Sequence, residues 1–212
     1  MTAHSRIGDY QTPNITPADT AHPPAAADDT PADWGALSAL PGNPLMWILI
    51  LSELAVFGAF LAGFAGARVM QPDLFAESQA QLNRLYGGLN TLVLVTSGWF
   101  AALAVRNRAE GAVGRARLWL LAAGGLGLVF LVVKVIEYGA KIDAGIGMDT
   151  NTFWTLYWLM TGFHALHVVM GLAILAIVAW KASLENLETG AAFWHMVDLI
   201  WVLLYPVIYL IR

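Results

Sequence analysis

Eight polar side chains lie within long apolar runs of this sequence, and they are of types that bind metals or move protons. Two of them, His164 and His167, are three positions apart and project from one face of a helix. Imidazoles near carboxylates can ligate iron, copper or zinc, or relay protons across a membrane. The full set is Glu53, Asn90, Lys134, Glu137, His164, His167, His195 and Asp198.

The elements that position these side chains are predicted to be membrane-spanning helices. Five apolar runs approach the roughly 20 residues that a helix needs to cross the hydrocarbon. Since only helices and closed barrels satisfy the backbone in lipid, we expect an all-α, polytopic five-helix bundle over residues 44–212. The predicted helices are 45–67, 86–105, 118–138, 153–180 and 192–211, with polar links at 68–85, 106–117, 139–152 and 181–191.

The composition supports an integral membrane protein and excludes several other classes. Hydrophobic residues make up 58% of the chain and charged residues only 12%, which is outside the usual soluble range. The chain has no cysteine, which excludes disulfides, thiolate metal sites and iron-sulfur clusters. No basic stripe indicates nucleic-acid binding. The lipid bilayer is therefore the first expected partner.

The N-terminal 43 residues differ from the rest of the chain. They hold six of the nine prolines and show no apolar periodicity, so we expect a disordered tail. They also lack the basic region and apolar core of a signal peptide. The link 106–117 carries four arginines, and the positive-inside rule then places the N-terminus and this tail in the cytoplasm. Five spans put the C-terminus in the periplasm.

Spacing also predicts which polar side chains can pair within a helix, since residues three apart share a face. Lys134 can pair with Glu137, and His195 can form a hydrogen bond with Asp198. In the predicted topology His195 and Asp198 lie near the inner end of the fifth helix. Stripes of small residues at four-residue spacing, which let helices approach closely, predict packing faces on the first helix (Ala55, Ala59, Gly63, Ala67) and the third (Ala123, Gly127).

Three interpretations of the polar set stay open at this point. Metal or haem ligation has the right residue types, but no predicted helix contains the Glu-x-x-His spacing of di-iron bundles. A proton-coupled transporter would use the same groups as a relay, but the chain lacks an inverted repeat, and Pro206 is the only proline inside a predicted span. In the third interpretation the polar groups satisfy one another and hold the helices together.

The order of local motifs resembles subunit III of the haem-copper oxidases. One motif falls in each predicted helix, and together they cover residues 45–212. The closest are Thr161-Gly-Phe-His-Ala-Leu-His-Val-Val-Met-Gly171 and Phe193-Trp-His-Met-Val-Asp-Leu-Ile-Trp201. The others are Ile50-Leu-Ser-Glu-Leu-Ala-Val-Phe57, Leu89-Asn-Thr-Leu-Val-Leu-Val-Thr-Ser-Gly98 and Lys134-Val-Ile-Glu-Tyr138.

This resemblance implies a non-catalytic accessory subunit of a bacterial respiratory complex in the inner membrane. Such a subunit carries no haem, copper or other metal, packs beside the catalytic subunit, binds phospholipid, and supports assembly, stability and proton uptake. The resemblance assigns Glu53, the histidine pair of the fourth helix, and His195 with Asp198 to packing, lipid or partner contacts. An independent proton-coupled transporter is the alternative.

Two features distinguish this chain from the longer members of the family. Those members begin with two additional helices that form one arm of a lipid-holding cleft, where this chain has its proline-rich tail. The short length and the ending Leu203-Leu-Tyr-Pro-Val-Ile-Tyr-Leu-Ile-Arg212 look like the NorE-type branch, which accompanies nitric oxide reductase in denitrifying bacteria. Short cytochrome oxidase and quinol oxidase third subunits also have five helices.

Overall fold

The protein is a bundle of long helices. The computed structural model describes residues 44–181 and 183–211, and five helices in these ranges are long and apolar enough to cross a membrane. The all-α, five-span prediction is therefore confirmed, whereas the tail predicted for residues 1–43 lies outside the described residues. The helices are α1 (Pro44–Met70), α2 (Pro72–Ala80), α3 (Arg84–Ala109), α4 (Val113–Asp143), α5 (Thr152–Lys181) and α6 (Leu184–Tyr205), and α6 continues as a π-helical segment, Pro206–Leu210.

The long helices begin before their predicted starts, most of all α6. This helix begins at Leu184, so the prediction of a link up to residue 191 was wrong. Ser183 caps it, because the serine side chain accepts a hydrogen bond from the Asn186 backbone N–H at 3.3 Å. Glu185 lies in the first turn, where a negative charge favours the helix dipole. His195 is consequently about 16 Å along α6, further from the start of the helix than predicted.

The first predicted link is also partly helical, because it contains α2. Pro72 lies in the first turn, where its missing N–H costs nothing. The Phe75 ring is buried between Phe64 of α1 and Phe153 of α5, with centroid distances of 5.1 and 5.4 Å. The short helix therefore covers the end of the bundle at which α1 ends and α5 begins.

Gln79 joins α2 to the C-terminal segment. Its side-chain amide donates to the backbone carbonyls of Ile208 and Ile211, each at 2.9 Å. Pro206 has no backbone N–H, and the helix changes to π geometry at this residue. The buried amide thus supplies donors to carbonyls at the end of the last helix, where helical partners run out.

We expect Gln79→Ala to destabilise this end of the bundle by about 1–3 kcal/mol, because the buried carbonyl of Ile208 and the partly buried carbonyl of Ile211 would lose their donor. The change should appear as a lower free energy of unfolding in mixed micelles and faster trimming by carboxypeptidase. Gln81→Ala is the matched control, since the Gln81 side chain is exposed. Equal effects of the two substitutions would contradict the role given to Gln79.

The centre of the bundle is α6, and its Trp194 joins three other helices. Within the apolar stretch of each spanning helix, 56% of the residues are buried in the last span, which contains α6, compared with 11% in α1. The fully buried Trp194 ring lies against Gly127 of α4 and Gly171 of α5, where an added Cβ would be 2.7 Å from ring atoms. Its indole N–H donates to Ser97 Oγ of α3 at 3.0 Å. Close approach at these glycines is what admits the large ring.

The two predicted stripes of small residues have different outcomes. Ala123 and Gly127 of α4 lie in the packed interior, as expected. On α1, however, Ala55, Ala59 and Gly63 are exposed, so the prediction that they form a packing face within the bundle was wrong. The large side chains Phe57 and Phe64 hold α1 against its neighbours instead. The small face of α1 therefore points outward.

Candidate functional site

The most enclosed polar cluster is built on the predicted pair of Lys134 and Glu137 in α4. The Lys134 ammonium donates to Glu137 Oε2 at 3.0 Å and to the hydroxyls of Tyr157 and Tyr209 at 3.2 Å each. The two tyrosines in turn donate to Glu137 Oε1, at 3.0 and 2.7 Å. All four residues are at most 3% exposed. The predicted pairing is confirmed, and α5 and α6 complete it.

Every strong donor and acceptor in this cluster is used. The ammonium has three donors and three acceptors around it, and both carboxylate oxygens accept hydrogen bonds. The Lys134 Nζ also lies 4.7 Å from the centroid of the Tyr138 ring and 5.3 Å from that of Trp201, distances at which a cation is attracted to an aromatic face. The arrangement stabilises one charged pair inside the bundle, and it fits a packing role better than proton transfer.

A second cluster joins α1 to α5 through Glu53 and His167. The His167 Nδ1 lies 2.8 Å from the carbonyl oxygen of Phe163, and its Nε2 lies 3.1 Å from Glu53 Oε2. A carbonyl can only accept, so Nδ1 carries a hydrogen. The contact with Glu53 then contains one further proton, held either by the carboxyl group or by the second ring nitrogen. Sequence spacing did not indicate this pair, because its members are 114 residues apart.

His164 shares a helix face with His167, as predicted, but its surroundings are aromatic. Phe57 contacts both imidazoles, with ring centroids 6.4 Å from His164 and 5.5 Å from His167. The indole of Trp201 stacks on His164 at 5.2 Å. The imidazole of His164 is fully buried, and neither ring nitrogen has a hydrogen-bond partner among the described residues. The two histidines are therefore neighbours with different surroundings.

His195 and Asp198 of α6 are adjacent but do not form the predicted hydrogen bond. His195 Nδ1 and Asp198 Oδ2 are 3.8 Å apart, which is beyond hydrogen-bond distance. The carboxyl group is turned toward Gly98 of α3, where an added Cβ would collide with Oδ2. Asp198 is 7% exposed, and neither carboxyl oxygen has a hydrogen-bond partner in the described part of the chain. The helix face was predicted correctly, but packing on α3 decided where the carboxyl group points.

Asn90 forms a hydrogen bond with a neighbouring helix and does not belong to the Lys134 cluster or to the Glu53 cluster. Its amide nitrogen donates to the Phe130 carbonyl of α4 at 3.3 Å, and the residue is 1% exposed. Across residues 44–181 and 183–211, no three histidine, aspartate or glutamate side chains come together in a way that could hold a metal ion. The polar set is thus distributed among separate helix contacts.

The sequence did not single out the two tyrosines that complete the Lys134 cluster. Tyr157 and Tyr209 lie near ends of predicted spans, where aromatic residues are usually assigned to the membrane interface. Their hydroxyl groups turn inward to Glu137 instead. One signal in the sequence could have indicated them. A buried ion pair such as Lys134 and Glu137 requires further hydrogen-bond partners, which neighbouring helices must supply.

The fold and these clusters define a class: a multi-pass helical membrane protein in which most ionisable side chains of the apolar helix segments lie at contacts between helices. The family model described as cytochrome c oxidase subunit III matches residues 44–211. The chain therefore belongs to the cytochrome c oxidase subunit III family.

Individual relatives are similar over most of the chain. The cytochrome c oxidase subunit 3 of Synechocystis sp. is 26% identical over 176 residues, which cover 77% of this chain and 73% of that protein. The same subunit of Thermostichus vulcanus is 29% identical over 77% of this chain and 84% of its own length. The heme-copper oxidase subunit I+III of Aeropyrum pernix is 28% identical over 185 residues, 78% of this chain and 22% of that protein.

Proposed function

We propose that this chain is the non-catalytic third subunit of a bacterial haem-copper oxidase, lies beside the catalytic subunit in the inner membrane, and holds no haem or copper. Membership in the cytochrome c oxidase subunit III family carries the proposal. The name of the Aeropyrum pernix relative, subunit I+III, supports a catalytic subunit as the neighbour. The proposed topology has a cytoplasmic N-terminus and a periplasmic C-terminus.

The buried clusters support an accessory role, because the most enclosed one has no spare group for chemistry. Lys134, Glu137 and their tyrosine partners satisfy one another. The small outward face of α1, including Ala55 and Ala59, lets a helix of the catalytic subunit approach closely. The subunit thus contributes to assembly and stability through packing, with phospholipid filling the remaining surface.

Glu53 is proposed to support proton uptake by the complex. It shares one proton with His167, and its side chain is 21% exposed at the surface of the bundle. A partly exposed carboxyl group within a span can exchange a proton with a water path at the subunit boundary. Its exposure distinguishes it from the closed Lys134 cluster.

The subunit assignment is tested by purifying the tagged chain from its native membranes in mild detergent. Co-elution with a haem-bearing subunit that reduces oxygen is the expected result. Co-elution with a subunit that reduces nitric oxide would instead assign the chain to the nitric oxide reductase branch. A haem-free chain that moves protons with a solute in liposomes would overturn the proposal in favour of a transporter.

We expect Glu53→Gln to leave assembly of the complex intact. Turnover of the complex should fall, but by less than the loss of about 100-fold that is typical when a proton-transfer group is removed. The substitution removes the exchangeable proton of the carboxyl group, whereas the glutamine amide can still donate a hydrogen bond to His167 Nε2. Turnover and haem content of the purified complex are the measurements. Glu77→Gln, at an exposed position of α2, is the control. Complete loss of turnover in an assembled complex would contradict a supporting role for Glu53.

A further inference from the structure

A narrow groove between α4 and α5 lies near the end of the bundle that carries the link 106–117. Its volume is about 290 Å³, just below the roughly 300–1,000 Å³ of typical small-molecule sites. The residues that line it are aliphatic or glycine. Gly125 is exposed in its wall, and an added Cβ there would meet no atom within 4 Å. The groove therefore suits a slender hydrocarbon chain better than a ring system.

The groove follows α4 for about the depth of one leaflet. Leu121 and Leu128 line it, and Arg117 lies one turn before Leu121 on the same face of the helix. From Arg117 to Leu128 the helix rises by about 17 Å, and one leaflet contributes about half of the roughly 30 Å hydrocarbon core. An acyl chain that enters beside Arg117 would thus reach the middle of the bilayer within the groove.

Arg117 is held at the mouth of the groove by the end of α5. Its Nε donates to the Ala179 carbonyl at 3.1 Å, and its Nη2 donates to the Trp180 carbonyl at 3.3 Å. These carbonyls belong to the last turn of α5, where helical partners run out. Ala179 also lines the groove. A guanidinium group has five N–H donors, so the exposed Arg117 side chain keeps donors for a ligand while its position is fixed.

The charges around Arg117 favour an anionic head group. The link 106–117 carries four arginines and one glutamate, and this Glu110 is paired with Arg106 at 3.1 Å. The residues that line the groove within the described chain include no carboxylate. Guanidinium groups bind phosphate through paired hydrogen bonds, and arginines near the membrane surface attract anionic lipid. The ammonium group of a zwitterionic lipid would instead meet like charges.

We propose that this groove binds an anionic phospholipid, with the lipid phosphate hydrogen-bonded to Arg117 and one acyl chain between α4 and α5. The site rests on the proposed function in one respect, the contact of the subunit with phospholipid, and gives that contact a position and a head-group charge. Residues of this chain alone form it. It therefore requires neither a partner subunit nor the two additional helices of the longer family members.

The test uses the full chain, purified in detergent, with phosphatidylglycerol and phosphatidylcholine of equal acyl-chain length. Native mass spectrometry measures the bound fraction of each lipid. We expect one phosphatidylglycerol per protein chain, bound at least about tenfold more tightly than phosphatidylcholine. Glycerol 3-phosphate, which carries the phosphate without acyl chains, should not displace it. Equal retention of the two lipids, or displacement by glycerol 3-phosphate, would overturn the proposal.

Two pairs of variants locate the site. Arg117→Gln should weaken phosphatidylglycerol binding by about tenfold or more. Arg115→Gln removes the same charge from another face of α4 and should leave binding nearly unchanged. Gly125→Phe fills the groove and should abolish binding, whereas Gly63→Phe, at an exposed glycine of α1 that also has open space around it, should not.

Equal effects within either pair of variants would refute the site. If Arg117→Gln does not fold, the comparison of Gly125→Phe with Gly63→Phe still decides the result. Because the isolated chain is used, a negative result would leave the subunit assignment, which co-purification tests, unaffected.

Discussion

Lys134→Met is expected to lower the free energy of unfolding by about 3–5 kcal/mol, because it leaves the Glu137 carboxylate buried without its cation. Glu137 is 3% exposed, and only Tyr157 and Tyr209 would remain to donate to it. Titration with sodium dodecyl sulfate in mixed micelles, followed by circular dichroism, measures the change. The stability of the helix bundle should therefore depend on this pair.

The double variant Lys134→Met/Glu137→Gln separates the unpaired charge from the lost packing. We expect it to be more stable than Lys134→Met alone, since removal of both charges leaves no uncompensated carboxylate. Arg106→Met is the surface control: Arg106 and Glu110 form an ion pair at 3.1 Å with exposed side chains, which contributes less than about 1 kcal/mol. If Arg106→Met lowered the free energy of unfolding as much as Lys134→Met does, the effect of Lys134→Met could not be attributed to burial of the ion pair.

Trp194→Ala should destabilise the bundle by about 3–5 kcal/mol, the usual range for a buried Trp truncated to Ala. In lipid this cost comes mainly from lost contacts between helices, because lipid tails are as apolar as the protein interior. The ring fills the space between Gly127 and Gly171 and anchors α6 to Ser97 of α3. The same unfolding measurement applies.

Two further variants test the size and the position of the ring. Trp194→Phe removes the indole N–H together with part of the ring volume, so we expect a loss smaller than that of Trp194→Ala, about 1–3 kcal/mol. Trp180→Ala is the matched control, because Trp180 is 86% exposed near the end of α5. If Trp180→Ala and Trp194→Ala cost the same, Trp194 would not be the central contact of the bundle.

The helix ends show where sequence patterns lose accuracy. Hydropathy located all five spans but placed the start of the last helix eight residues late, at 192 instead of Leu184. The residues between these points are partly polar, and helix formation there depends on the Ser183 cap and on burial of Leu187 at 1% exposure. Apolar periodicity detects the lipid-crossing part of a helix, whereas caps and interior contacts extend it.

The polar pairs also show what spacing along one helix predicts and what contacts between helices decide. Lys134 and Glu137 were predictable, because three-residue spacing on one helix fixes their proximity. The same spacing brought His195 near Asp198, but the space at Gly98 decided that the carboxyl group turns to α3. Spacing along one helix determines which residues are neighbours, whereas contacts between helices determine whether those neighbours form a hydrogen bond.

By itself, the sequence determined the membrane class, the five helices, the family motifs and the pair within α4. The membrane class, the helices and the pair depend on composition or on spacing along one helix, and the family motifs depend on the order of residues along the chain. Only the tertiary structure decided that Glu53 meets His167 and that Tyr157 and Tyr209 close around Glu137. The physical reason is that such contacts depend on the rotation and crossing of packed helices, which the interior of the whole bundle fixes at once.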